Sequence, residues 1–141
     1  MVDHKLSTEY LKIALTERAC LSDQTYSMAV LNQLAEKGIQ ILISDFCSGY
    51  SSFVYLTNFP IHILKIDPAF VMNMVKHEKK RIIVKGIINL AETMHLKVVA
   101  DGVNDEVILQ NLLSLGCKYG QGALFSEALS ADKLTELLKS S

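Results

Sequence analysis

Apolar and polar positions along this chain switch repeatedly between a period of two and a period near 3.6, the signatures of strand and helix. Residues 10–15, YLKIAL, alternate like a half-covered strand. Ser22 and Asp23 then offer caps for a helix over 24–37, where Met28, Leu31 and Ala35 share a face and Gly38 ends it. Residues 39–43, IQILI, form a second strand, apolar enough to be covered on both sides. A short helix over 51–58 stops at Phe59-Pro60. A third strand, 61–66, runs into a turn or short helix at Asp67-Pro68. The clearest helical stripe is Ile83, Ile87, Leu90 and Met94, within 78–94. A fourth strand covers 97–100. Asn104 is placed to cap a helix whose face is Ile108, Leu112 and Leu115, closed by Gly116. A short fifth strand is expected at 123–125, and a last helix follows Ser130 with Leu134, Leu137 and Leu138.

Strand and helix alternate without a hairpin signal. The fold class is therefore α/β with a parallel sheet and right-handed crossovers. Periodicity leaves two architectures open, a doubly wound open sheet and part of a barrel. No linker or change of composition divides the chain, so one domain over 1–141 is expected.

Composition narrows the function classes. Half of the 141 residues are hydrophobic and mean hydropathy is +0.25, so there is much apolar surface to cover. Net charge is -1, and no basic block is longer than Lys79-Lys80-Arg81, which argues against a nucleic acid polymer as partner. Cys20, Cys47 and Cys117 form neither a CxxC pair nor a zinc-like cluster, as in a reduced cytoplasmic protein. The first residues, MVDHKLSTEY, hold no signal-peptide core, and no apolar run approaches the ~20 residues of a membrane span.

The stretch with the most chemistry is 39–52, IQILISDFCSGYSS, where an apolar strand delivers Asp45 to a polar turn. Acids at strand ends carry chemistry in parallel α/β folds, although Asp45 also reads as a turn cap. Four blocks extend the pattern: TEYLKIALTE at 8–17, SDFCSGYSSFVYLTNFPIHILKIDPAFV at 44–71, LKVVADGVNDEVILQNLLSLGC at 96–117, and KYGQGALFSEAL at 118–129. In this order they resemble the EAL family of cyclic-di-GMP phosphodiesterases. The corresponding family patterns end in EITE, begin DDFGTGYSS and continue to LKID, contain AEGVE, and close on YxQGYLFSxPL.

The resemblance implies a partial (β/α) barrel of the EAL type, roughly its last five strand–helix units, with the site at the carboxyl ends of the strands. On that reading residues 1–141 are a truncated EAL-like domain without the Glu-Ala-Leu motif. The family's chemistry is hydrolysis assisted by two divalent ions, and hard ions such as Mg²⁺ or Mn²⁺ need several carboxylates. The EITE glutamate falls on Ala14 and the first aspartate of the loop on Ser44. The second aspartate is kept as Asp45, and the loop residues Gly49, Tyr50, Ser51 and Ser52 are kept, with Cys47 in place of a glycine. Lys65 and Asp67 match the KID block. The AEGVE glutamates become Asp101 and Asn104, and the late glutamine is Gln121. Ala128 stands where proline is usual.

The resemblance thus leaves Asp45, Lys65 and Asp101 as catalytic remnants, Asp45 and Asp101 as metal-ligand remnants, and Gln121 and Asp67 as candidate ligand contacts. Each has a structural reading beside it. Lys65 can pair with Asp45 or Asp101, Asp67 can shape its turn, Asn104 can cap a helix, Glu17 can be structural, and His62 can be a core histidine. Cys47 has no nearby histidine to make it a nucleophile.

The leading functional expectation is a catalytically inactive regulatory or protein-interaction module in cyclic-di-GMP-related signalling. One alternative is a fragment of a metal-dependent phosphodiesterase that yields linear pGpG; another is a module that binds cyclic-di-GMP without cutting it. No cofactor is expected, save Mg or Mn in a residual metal site. A homodimer or a protein partner is expected, with cyclic-di-GMP binding weak or absent.

Overall fold

The computed structural model describes residues 7–47 and 54–140. The kept loop residues Gly49, Tyr50, Ser51 and Ser52, and the start of the helix expected at 51, lie outside the described residues. Among the described residues, no helix is long and apolar enough to cross a membrane.

Strand β1 (Lys12–Thr16) runs directly into α1 (Glu17–Ser22), a helix that sequence periodicity does not announce. Thr16 begins it, its Oγ1 accepting from Ala19 N at 3.3 Å. Asp23, not Ser22, caps α2 (Gln24–Glu36), with Oδ1 accepting from Tyr26 N at 3.0 Å. Gly38 stops α2 at φ +79°, a left-handed turn that glycine enters without a Cβ penalty. Then follow β2 (Gln40–Phe46), α3 (Val54–Asn58), β3 (Ile63–Ile66), α4 (Pro68–Asn73) and α5 (Glu78–Thr93). The chain closes with β4 (Lys97–Asp101), α6 (Glu106–Ser114), β5 (Tyr119–Gln121) and α7 (Ala131–Ser140).

The five strands form one parallel sheet in the order β1-β2-β3-β4-β5. Right-handed crossovers that always step in the same direction put every helix on the same side. A doubly wound sheet would reverse direction at a switch point. The sequential order therefore resolves the alternatives in favour of a segment of a (β/α) barrel.

The helix-side face is the core. Ile41, Ile43, Leu64, Ile66 and Ala100 are fully buried there, with Val84, Ala91, Ile108 and Leu112 among the buried helix residues. Each large side chain so buried contributes about 1.5–3 kcal/mol. The opposite face alternates with it. Ala14 and Thr16 are exposed on that face, and Leu42, Ser44, Lys65 and Asp101 are half-buried. The expectation that the second strand is covered on both sides is thus corrected: β2 buries one face and half-opens the other.

Two other expectations change. The fifth strand lies at Tyr119–Gln121 rather than at 123–125, where the chain turns. The turn passes so close to the preceding loop that a Cβ on Gly122 would overlap the Val103 backbone. The apolar ALF residues fold over that crossing, Leu124 N donating to Val103 O at 3.1 Å, instead of extending the sheet. The cap of α6 is Asp105, whose Oδ1 accepts from Ile108 N at 2.8 Å, and not Asn104.

Candidate functional site

The carboxyl ends of the parallel strands share one rim. β2 reaches it irregularly: Leu42 pairs with Ile63 and Ile43 with Leu64, but Phe46 pairs with Ile66. One extra residue on β2 makes a bulge at Ser44-Asp45 opposite Lys65, and Asp45 takes φ +54°. The bulge has a packing reason, since it returns Phe46, fully buried, to the core face. Asp45 therefore sits within the last turns of the strand rather than in the loop. Among the described residues its carboxylate makes no hydrogen bond or ion pair.

Lys65 and Asp101 come together. The Lys65 Nζ lies 2.7 Å from Asp101 Oδ2, with the two side chains 19% and 21% exposed. The other oxygen, Oδ1, accepts from Gly102 N at 2.9 Å. Both oxygens of this carboxylate are thus engaged. In register beside Asp101 stands Gln121, whose backbone oxygen accepts from Gly102 N at 2.9 Å and Val103 N at 3.0 Å while the residue as a whole is exposed.

The remaining positions are structural or neutral in their contacts. Ala14 brings a methyl group to the open face. Ser44 Oγ donates to Leu15 O at 3.4 Å across to β1. Asp67 caps α4, its Oδ1 accepting from Ala69 N at 2.7 Å, with Pro68 supplying the preset first turn. Asn104 joins the loop after β5 to α4, Oδ1 accepting from Ala123 N at 3.3 Å and Nδ2 donating to Met72 Sδ at 3.4 Å. Gly102, at φ +85°, lies where a Cβ would come within 2.9 Å of Pro68 Cβ. The loops after β4 and β5 and helix α4 are thereby held against one another.

Glu17 holds the neighbourhood of the rim together, a structural contact that its sequence context does not announce. It is only 2% exposed, and Oε1 accepts from Cys47 N at 3.4 Å, tying the turn after β2 to the start of α1. Its signal in the sequence is its place directly after Thr16, the cap of α1. Burial pushes the Cys20 thiol up from its ordinary range, and the Glu17 charge adds to the effect. A cleft of about 200 Å³ lined by Ile88, Glu92, Lys97, Cys117 and Tyr119 opens at the amino ends of β4 and β5, away from Asp101.

A singly wound parallel sheet with helices on one side and charged residues on the carboxyl rim defines the class: a (β/α)-barrel domain with its site at the strand ends. The sequence profile of the EAL domain matches residues 1–128, and the chain belongs to that family. It is 36% identical over 134 residues to the bifunctional diguanylate cyclase/cyclic di-GMP phosphodiesterase MucR of Pseudomonas aeruginosa, covering 95% of this chain and 20% of that protein. It is 35% identical over 135 residues to the signaling protein YkoW of Bacillus subtilis, covering 96% and 17%. The chain thus spans about a fifth of these curated relatives. Among solved structures, the MucR phosphodiesterase in complex with c-di-GMP superposes with a TM-score of 0.88 at 36% identity, over 94% of this chain and 54% of that one. The manganese/cy-diGMP complex of BlrP1 from Klebsiella pneumoniae superposes at 0.84 with 29% identity, over 89% and 32%.

Proposed function

We propose that this chain is a non-hydrolysing member of the EAL family, acting as a regulatory or protein-interaction module in cyclic-di-GMP-related signalling. The observation that carries the reading is the rim itself. Ala14 and Ser44 bring no charge, and Asp101 already has Lys65 on one oxygen and Gly102 N–H on the other. Among the described residues, no three His, Cys, Asp or Glu side chains group to hold a metal ion. Mg²⁺ or Mn²⁺ would need several oxygen ligands, carboxylates among them, and two such ions would need more. Asp45 with an engaged Asp101 does not fit that demand, so no step is derived through an ion.

The phosphodiesterases among the relatives favour a second reading, in which this chain is the equivalent part of a hydrolase that yields pGpG. One assay separates the two: pGpG formation from cyclic-di-GMP with Mg²⁺ or Mn²⁺ at high protein concentration. No turnover is expected. Turnover that vanishes in Asp45→Asn would overturn the first reading, because it would show a working metal site built on that acid. Binding without cleavage is a third reading. Weak or absent affinity is the expectation, since the face bearing Ala14 and Thr16 is open and small ligands bind in concave, enclosing sites. Metal-dependent micromolar binding by calorimetry would replace the expectation with the third reading.

Protein contact is the positive half of the proposal. Among the described residues, β1 and β5 lie at the two sides of the sheet, and Leu134, Leu137 and Leu138 on α7 are 46%, 42% and 69% exposed. Open edges and apolar stripes recruit other chains. Self-association is expected first, because symmetric dimers are the commonest solution. Light scattering across a dilution series tests it; a stable monomer at low micromolar concentration would refute it.

A further inference from the structure

Helix α5 crosses from β3 to β4, two strands with hydrogen-bonded neighbours on both sides, so its outer face looks away from the middle of the sheet. The start of that helix and the turn before it hold the densest run of positive charge. Lys76, Lys79, Lys80, Arg81 and Lys85 are five of the chain's 14 basic residues, against one, Glu78, of its 15 acids. The fold uses one of these cations. Lys80 Nζ donates to Ala69 O at 3.2 Å and lies 5.6 Å from the centre of the Phe70 ring, which fixes α4 against α5. Lys76, Lys79, Arg81 and Lys85 are exposed and, among the described residues, make no ion pair or side-chain hydrogen bond.

Arg81 and Lys85 stand one helical turn, about 6 Å, apart on α5. With Glu78, Ile82, Ser114 and Leu115 they line a cleft of about 270 Å³ between α5 and the end of α6. The carbonyls at that end do not call for them: Asn111 O and Leu112 O accept from Leu115 N at 3.1 Å, and Leu113 O accepts from Gly116 N at 3.0 Å. Glu78, in the first turn of α5, forms no ion pair with either cation. Ile82, between them in sequence, is 62% exposed. Taking the chain as a protein-interaction module, we propose that this cleft docks an acidic amphipathic helix of a protein partner. Two carboxylates one turn apart on that helix meet Arg81 and Lys85, and a leucine-sized side chain beside them meets Ile82 and Leu115. Cations that no acid of the chain relieves are complementary to carboxylates brought from outside, and a helix laid in a groove is read through anchors at this spacing. The concave form admits a protruding helix, whereas a lipid surface is flat on this scale.

The test is a ¹⁵N amide titration of the whole chain with short synthetic helical peptides. One carries glutamates a turn apart beside leucines; its control has glutamine in their place. The glutamate peptide should shift the amides from Arg81 to Lys85 and from Ser114 to Gly116. Its affinity should fall about tenfold in the variant Arg81→Glu/Lys85→Glu, and fall with added salt. Both substituted side chains are exposed and unpaired, so the variant should keep the native melting temperature. The glutamine control decides the matter without any variant. Equal binding by that control or by the variant, shifts confined to other faces, or no shifts would overturn the proposal. So would phosphatidylglycerol vesicles that shift these amides where the peptide does not. Formation of pGpG would refute the inactive module and leave these shifts as they are, so the two failures are separable.

Discussion

Two glycine-to-alanine substitutions should move stability in opposite directions. Gly122 lies where the loop after β5 crosses the loop after β4, and a Cβ there would overlap the Val103 backbone. Val103 is fully buried, so it has no free space to retreat into. The same crossing carries bonds from Val103 N to Gln121 O at 3.0 Å and from Leu124 N to Val103 O at 3.1 Å. Relieving the overlap costs about 1–3 kcal/mol. Stretching these two bonds adds about 1 kcal/mol. Gly122→Ala should therefore cost about 2–4 kcal/mol, which at roughly 4 °C per kcal/mol lowers Tm by about 8–16 °C. Gly86 lies inside α5, and a Cβ added there would meet nothing within 4 Å. At that position alanine removes only the entropy penalty of a helical glycine and should stabilise by about 0.5–1 kcal/mol. Calorimetric melts of the two variants beside the native chain decide the matter. An unchanged Tm for Gly122→Ala, or a drop of similar size for both, would refute the steric argument.

Three further outcomes are expected. Lys65→Met should cost about 1–3 kcal/mol by leaving the half-buried Asp101 charge uncompensated; the double variant with Asp101→Asn should recover part of it in a double-mutant cycle by urea unfolding. Asp105→Ala should cost about 1 kcal/mol through the lost cap of α6, measured by thermal melting against Asn104→Ala, which leaves that cap in place. Burial raises both Cys20 and Cys117 thiols, and Glu17 adds to the first; the unfolded chain therefore ionises them first, near pH ~8.5, and stability full below that pH should fall as pH rises above it. Cys117→Ala should flatten that alkaline slope in chemical unfolding.

Much of the architecture follows from the sequence alone. The alternation of apolar runs with helical stripes requires a parallel sheet, and local residues such as Asp23, Gly38 and Gly116 mark helix ends because capping acts within a turn. The four motif blocks placed the chain in its family, and the neutral residues at Ala14 and Ser44 are legible as they stand. The fifth strand at Tyr119–Gln121 was not, because Gly122 is set by a contact with a loop about twenty residues earlier rather than by any local pattern. Likewise the choice between Asn104 and Asp105 as cap rested on chain direction out of β4, where adjacent polar residues look alike in sequence.

The site divides in the same way. Sequence determined which acids and which lysine reach the rim, since a strand of known period delivers its residues to a known end. Only the tertiary structure decided how they combine. The bulge at Ser44-Asp45 exists because Phe46 must return to the core. Lys65 lies between Asp45 on β2 and Asp101 on β4, both strands hydrogen-bonded to β3, and the fold pairs it with Asp101 at 2.7 Å. Glu17 and His62 found their backbone partners 30 and 21 residues away. Contacts of that range depend on the register between strands, and register is a property of the assembled sheet rather than of any stretch of chain.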